Sequence, residues 1–249
     1  MPAYRFGKHP PKHDYRTLRF RSYLTPGLAP PPASYDVLAR VYQDLKIKTP
    51  NPAVLFPMDG NDQYGDCTIA ALAHAETTYR GLIGKEKIAR QQAVVKFYFH
   101  LTGGVDSGLN ELDVLNHWRQ QKVFGDEILG YVSIDPKNHV HVQQAMQLFG
   151  GVYIGFQVQQ NCIADFNAHK PWTPGPLTND GHAVFAVGYD ASVVTVLTWG
   201  NTQQGTWAWW DECVDEAYAI LPPEATKPGF ELPGFDIKQL KADLEAVAN

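Results

Sequence analysis

The chain has 249 residues, of which 44% are hydrophobic and 19% charged, and its formal net charge is −5. This length is sufficient for a sizeable hydrophobic core in one large domain or two lobes. The absence of a long basic run excludes the usual electrostatic signature of nucleic-acid binding, and no apolar stretch approaches the length of a membrane-spanning helix.

Cysteine content and the first residues bear on the cellular compartment. Residues 1–6 contain no apolar signal core, so we expect a cytoplasmic protein. The three cysteines, Cys67, Cys162 and Cys213, are widely spaced and odd in number. This pattern argues against a disulfide framework and fits a reducing compartment.

Residues 1–33 are rich in proline and basic side chains, and the prolines at 30–32 exclude a helix there. We predict an extended N-terminal arm that lies on the body of the protein or is partly disordered. An inhibitory propeptide is an alternative interpretation, although the segment is short and poor in helical pattern for that role. The sequence leaves open whether the arm inhibits, binds a partner or stays free.

Residues 34–125 are predicted to form a helical lobe, with helices at 35–45, 67–82, 86–101 and 109–121. The helix at 67–82 follows a polar loop, and Asp66 is a good N-cap. Cys67 therefore falls in the first helical turn, where free N–H groups and the helix dipole favour a thiolate. The position suits a nucleophile, although a free cysteine is also common in a core.

Residues 126–221 are predicted to form a β-rich lobe with an antiparallel sheet. The expected strands are 130–134, 151–158, 182–189, 193–199, 206–210 and 217–221, with a short helix at 139–149. Residues 222–249 are expected to form a C-terminal tail and a polar helix at 235–248. His182 begins a buried strand, from which it could serve as the base that a nucleophilic thiol needs, although core histidines are more common.

Two segments together resemble papain-like cysteine peptidases. One is the polar loop that leads to Asp66-Cys67 at the start of a helix. The other contains His182-Ala183-Val184, then Ala186-Val187-Gly188-Tyr189 and later Trp199-Gly200. The Asp-Cys pair is more similar to the bacterial and phage branch, which includes peptidases that trim double-glycine leaders. The resemblance implies an α+β, two-lobed fold, in which a helical lobe with the Cys helix packs against an antiparallel β lobe with the His.

The resemblance also implies a hydrolase that cleaves a peptide or amide bond through a Cys67–His182 dyad and an acyl-thioester. The family places a glutamine oxyanion donor six residues before the cysteine, and that position is Asn61 here. Gln63 is the competing choice. The second donor would be the backbone N–H of Cys67.

The residue that orients the histidine departs from the family pattern, which has an asparagine. Alignment on Trp-Gly gives Leu197, whereas counting from His182 gives Thr198, whose hydroxyl can accept a hydrogen bond from imidazole. Trp199 would shield that bond from water. We also predict substrate contacts for three residues: Trp199, Gln63 and Gly181.

This departure keeps several hypotheses open. The first is a peptidase acting on a peptide or protein substrate, with an amidase or transglutaminase as a close variant. The second is a catalytically inactive papain-like binding module. The third is a bacterial or phage assembly protein whose arm binds a partner.

Other groups of polar residues give weaker signals. His139 and His141 lack further residues at ligand spacing, so no metal site is expected, and no cofactor, nucleic-acid or membrane partner is predicted. The acidic pairs Asp211-Glu212 and Asp215-Glu216 are predicted to be solvated surface. The oligomeric state is left open.

Overall fold

The computed structural model describes residues 4–222 and 232–248. The α-helices are α1 (Val37–Asp44), α2 (Pro52–Leu55), α3 (Cys67–Gly81), α4 (Gln91–Leu101), α5 (Glu111–Gln120), α6 (His139–Phe149), α7 (Cys162–Asn167), α8 (Trp207–Cys213) and α9 (Ile237–Ala248). The strands are β1 (Tyr35–Asp36), β2 (Gly130–Ser133), β3 (Val152–Gln159), β4 (Leu177–Tyr189), β5 (Val193–Thr198), β6 (Asn201–Thr206) and β7 (Val214–Leu221). A short 3-10 helix covers Phe20–Tyr23.

The strands form one antiparallel sheet in the order β2-β7-β3-β4-β5-β6, and β1 pairs with β4. Helices α1 to α5 precede this sheet in the chain, except for the two-residue β1. The predicted α+β class, with a helical part first and an antiparallel β part second, is confirmed.

The sheet separates two hydrophobic clusters. Alternate residues of a strand point to opposite faces. On β4, Phe185 and Val187 therefore pack in the cluster that includes α3, whereas Val184 and Ala186 pack in the cluster that includes α6. Because residues on both faces of β4 are buried, the position of this strand is fixed. His182 lies on β4 just before these core residues.

The strand predicted at 206–210 is wrong. Strand β6 ends at Thr206, and α8 begins at Trp207. The hydroxyl of Thr206 accepts a hydrogen bond from the backbone N–H of Trp209 at 3.1 Å, which caps the new helix. The three tryptophans favour a strand by propensity, but Trp209 and Trp210 are fully buried by tertiary packing.

Several element boundaries also differ from the predictions. The helix expected at 86–101 begins at Gln91, and the short helices α2 and α7 were not predicted. The C-terminal helix predicted at 235–248 is α9, whereas residues 223–231 of the predicted tail lie outside the described residues. Within the described ranges, no helix has the length and apolar character needed to cross a bilayer.

Candidate active site

Cys67 is the first residue of α3, as the sequence predicted. The preceding residue, Asp66, occupies the N-cap position, and its backbone carbonyl accepts hydrogen bonds from the N–H groups of Ile69 and Ala70 at 2.8 and 3.0 Å. The prediction that the Asp66 side chain caps the helix is wrong, since its carboxyl accepts no capping bond. The helix start is buried inside the protein, and the carboxyl is buried with it.

Burial changes the charge expected beside the cysteine. Burial raises the pKa of Asp66 to about 8. A carboxyl with this pKa is mostly protonated at neutral pH. Asp66 therefore places little negative charge beside Cys67, which removes one objection to a thiolate at this position.

His182 is held by two neighbouring residues, Thr198 at the end of β5 and Trp199 in the turn that follows it. Its Nε2 lies 2.9 Å from the hydroxyl oxygen of Thr198, within hydrogen-bond distance. The indole of Trp199 stacks on the imidazole with ring centroids 4.7 Å apart and planes at 24°. Among the described residues, Nδ1 of His182 has no hydrogen-bond partner. This leaves one ring nitrogen available for a reacting group.

The turn between β5 and β6 explains the position of Trp199. Thr198 pairs with Asn201, so Trp199 and Gly200 form a two-residue hairpin turn, with φ angles of 48° and 72°. A left-handed conformation costs a non-glycine residue roughly 1 kcal/mol. Stacking on His182 and burial of the indole offset this cost.

Asn61 directs its amide nitrogen into the same region. Its Oδ1 accepts a hydrogen bond from Nε1 of Trp199 at 2.8 Å, which fixes the orientation of the amide. Its Nδ2 donates to the backbone carbonyls of Tyr64 and Arg5, both at 3.1 Å. The predicted oxyanion donor therefore already binds a carbonyl oxygen, which belongs to the N-terminal arm.

The predicted catalytic residues converge on one small cavity of about 10 Å³, close to the space of one water molecule. Its lining includes the four predicted catalytic residues and Trp199: Cys67, His182, Asn61, Thr198 and Trp199. Gln63 is exposed and does not line this cavity, so its proposed substrate contact stays a prediction. Gly181 borders the arm, because its carbonyl accepts a hydrogen bond from the backbone N–H of Lys8.

Residues 4–9 of the arm, called the covering segment below, lie over this cavity. The ring of Tyr4 stacks on Trp199 with centroids 4.6 Å apart, and the ring of Phe6 meets His182 edge-on at 5.5 Å. The backbone N–H of Lys8 donates to the carbonyl of Gly181 at 3.1 Å. The sequence left open whether the arm covers Cys67, with an inhibitory propeptide as one interpretation.

Glycines allow this close approach. A Cβ at Gly7 would lie 1.9 Å from the carbonyl oxygen of Gly65, so only glycine fits there. On the other side, the N–H of Leu109 donates to the carbonyl of Gly7 at 2.8 Å, and the N–H of His9 donates to the carbonyl of Leu109 at 2.9 Å. The covering segment is thus fixed by backbone bonds along both edges of the cleft.

Burial also affects the protonation of Cys67 and His182. Burial raises the pKa of the Cys67 thiol to about 12, against the smaller opposing effect of hydrogen bonds from the backbone of Ala183 and Gly7. Burial lowers the pKa of His182 to about 3. Both groups are therefore neutral in the covered state at neutral pH.

Sequence reasoning also missed a set of buried carboxylates near the cleft. Glu216 was predicted to belong to a solvated surface cluster, and this prediction is wrong because its side chain is 5% exposed. Alternation along β7 places Glu216 on the same face as the core residues Tyr218 and Ile220. That pattern was present in the sequence and would have identified Glu216 as an inward-facing acid.

Comparison with known proteins places the fold. No protein-family model matches the sequence, and no curated protein matches it. Several solved structures are similar, and three of them are described here. Xylellain, a cysteine protease from Xylella fastidiosa, has a TM-score of 0.63 and 19% identity over 87% of this chain and 96% of its own.

The other two are more distant. The cysteine protease and lectin-like domains of Cwp84 from Clostridium difficile give a TM-score of 0.56 and 15% identity, over 90% of this chain and 57% of that chain. The proCathepsin B S9 of Trypanosoma congolense gives a TM-score of 0.54 and 11% identity, over 88% of this chain and 86% of that chain. The chain has the papain-like, two-lobed α+β fold that the sequence predicted.

Proposed function

We propose that this chain is a cysteine peptidase that hydrolyses a peptide bond with Cys67 as the nucleophile, and that the covering segment keeps it latent. The observation that carries this proposal is the convergence of Cys67, His182 and Asn61 on one cavity, with Nδ1 of His182 unbonded among the described residues. The descriptions of the three structural neighbours as cysteine proteases or a procathepsin support it.

Each group has a defined chemical role in this proposal. Nδ1 of His182 takes the thiol proton as the sulfur of Cys67 attacks the substrate carbonyl carbon. The carbonyl oxygen becomes an oxyanion, which accepts hydrogen bonds from Nδ2 of Asn61 and the backbone N–H of Cys67. When the C–N bond breaks, His182 returns the proton to the leaving amine. Water then hydrolyses the thioester, which regenerates the thiol and releases the acid.

Two residues hold His182 in place, and the predicted substrate contact of Trp199 stays a prediction. The hydroxyl of Thr198 holds Nε2 and leaves Nδ1 free to take the thiol proton in the cavity that both residues line. Trp199 covers one face of the ring and links it to Asn61 through the indole N–H. Thr198 and Trp199 are therefore positioning residues, and Trp199 couples the orientation of the base to that of the oxyanion donor.

Latency follows from the geometry of the covering segment. The carbonyl of Arg5 accepts the Asn61 hydrogen bond that the oxyanion would require. Phe6 lies against His182, and the backbone of Gly7 bonds to the thiol. A substrate can reach Cys67 only after this segment moves.

The test uses glycine-to-alanine variants of the full chain. Gly7→Ala introduces a Cβ that would lie 1.9 Å from the Gly65 carbonyl and so displaces the covering segment. Gly27→Ala is the matched control, because a Cβ there has no atom within 4 Å. Hydrolysis of a mixture of quenched fluorescent peptides should rise at least tenfold in Gly7→Ala, remain at the wild-type rate in Gly27→Ala, and vanish when Cys67→Ala is added. A displaced segment without hydrolysis of any peptide would refute the proposal.

One observation favours a second candidate, a binding module without catalytic activity. The partner of His182 is the uncharged hydroxyl of Thr198 rather than an amide or carboxylate. The discriminating measurement is the pH dependence of iodoacetamide labelling of Cys67 in Gly7→Ala, with and without His182→Ala. Labelling below about pH 7 that requires His182 indicates a thiolate–imidazolium pair. Labelling that rises near the free-thiol pKa of about 8.5 in both variants favours the binding module.

A further inference from the structure

A group of three acids, two of them buried, surrounds the side chain of Lys8. We call it the carboxylate pocket, and it consists of Glu111, Asp215 and Glu216. The ammonium of Lys8 lies 2.9 Å from Oδ1 of Asp215 and 3.1 Å from Oε1 of Glu216. The Lys8 side chain is 1% exposed, so this contact is an interior one rather than a surface ion pair.

The walls of the pocket are built to admit a long side chain. A Cβ at Gly155 would lie 1.9 Å from Cε of Lys8. A Cβ at Gly181 would lie 2.4 Å from the carbonyl oxygen of Lys8. Gly155 pairs with Glu216 on β7 and with Ala183 on β4. The pocket therefore borders the three neighbouring strands β7, β3 and β4. It lies beside Ala183, the residue that follows His182.

The pocket contains more acid groups than one lysine can satisfy. Glu111 is fully buried, and neither of its carboxyl oxygens has a hydrogen-bond donor among the described residues. Burial, and next the charge of Glu216, raises the pKa of Glu111 well above its usual range. Burial alone would lower the pKa of Lys8, but the three acids together raise it. The raised pKa of Glu111 weakens its negative charge, so the preference for a positively charged occupant rests on Asp215 and Glu216, which contact Lys8 directly.

We infer that the carboxylate pocket is a subsite for a lysine or arginine side chain of the peptide substrate, and that Lys8 occupies this subsite in the latent state. The inference rests on the proposed peptidase function and adds its substrate class. A neutral or acidic side chain at this place would leave buried carboxylates without a cation. Arginine fits the chemistry well, because its guanidinium offers five N–H donors, compared with three on an ammonium.

Peptide binding tests the subsite without relying on catalysis. The protein is the full chain with Gly7→Ala and Cys67→Ala, so that the cleft is open and inert. The probes are a synthetic peptide of residues 4–13 and the same peptide with norleucine at the Lys8 position, measured by calorimetry. We expect the norleucine peptide to bind at least tenfold more weakly. Equal affinities would overturn the inference.

Substitutions in the pocket assign that selectivity to its carboxylates. Glu216→Gln should reduce the preference for lysine to less than threefold, whereas Glu212→Gln, at an exposed acid of α8, should leave it unchanged. Asp215→Asn is the second variant if Glu216→Gln fails to fold, because the Asp215 side chain is 32% exposed. If both variants fold and keep the full preference for the lysine peptide, the inference is overturned.

Substrate turnover separates this inference from the proposed function. In Gly7→Ala, matched quenched peptides that differ only by arginine against citrulline, or lysine against norleucine, should differ at least tenfold in kcat/KM. Equal turnover within each pair would refute the role in substrate selection and leave the peptidase function intact. Selective binding without any turnover would refute the peptidase function while the pocket remains a subsite for basic side chains.

Discussion

Replacing Lys8 with methionine tests how the covering segment is held over Cys67. In the covered state, Lys8→Met leaves Asp215 and Glu216 without their cation. Removing one partner of a buried ion pair costs about 3–5 kcal/mol. The lower end applies here, because Asp215 is 32% exposed.

This cost falls on the covered state alone, because water solvates the carboxylates once the segment leaves. A shift of about 3 kcal/mol changes the ratio of open to covered molecules by roughly 100-fold. Labelling of Cys67 by iodoacetamide at constant pH reports this ratio, since the thiol is fully buried in the covered state. Mass spectrometry resolves Cys67 from Cys162 and Cys213, which are also buried and serve as internal references.

Lys12→Met is the matched control in the same arm. Its ammonium contacts Asp113 at 2.8 Å, but the two side chains are 57% and 52% exposed. Exposed pairs contribute about 0–1 kcal/mol, so labelling should rise less than about fivefold. Equal labelling of the two variants would refute the argument that the buried ion pair holds the segment.

Three further predictions concern the site itself. Asn61→Ala in the Gly7→Ala background should lower kcat by about 10²–10³, as expected for a lost oxyanion donor; an effect confined to KM would contradict that role. Thr198→Val should lower kcat about tenfold, the value of one hydrogen bond to the base, and Thr198→Asn should restore it; unchanged kinetics in both would remove Thr198 from the mechanism. The raised pKa of Asp66, about 8, means that the folded protein keeps a proton that the unfolded chain loses above about pH 4. The free energy of unfolding should therefore fall as pH rises between these values. Urea titrations should show that Asp66→Asn removes up to about 1.4 kcal/mol of this fall for each pH unit. A slope of the free energy against pH that the substitution leaves unchanged would mean that Asp66 is ionised in the fold.

The sequence predicted those parts of the site that depend on local pattern. The helix start at Cys67 and the buried strand that begins at His182 were recognisable in the sequence, because helix capping and hydrophobic runs are local signals. The position of Thr198 followed from the family spacing to His182. The structure brings these residues to one cavity, whereas their roles in catalysis remain predictions.

The parts that the sequence did not predict depend on contacts between distant segments. Helix α8 stands where a strand was expected at 206–210, because burial of Trp209 and Trp210 overrides the β propensity of these tryptophans. Proline-rich residues near the N-terminus carry no periodic signal, so nothing local places Lys8 beside Glu216. Their contact joins residues 8 and 216, and only the folded sheet brings them together.

The covalent link between the covering segment and the body has a consequence for how latency responds to conditions. A tethered ligand acts at an effective concentration of about millimolar, independent of the concentration of the protein. Dilution would therefore leave the cleft covered. A single chain break in the exposed stretch around Tyr15, whose side chain is 98% exposed, would turn the same contacts into a bimolecular complex. The released segment would then dissociate on dilution, so one cut would convert a constant block into a concentration-dependent one.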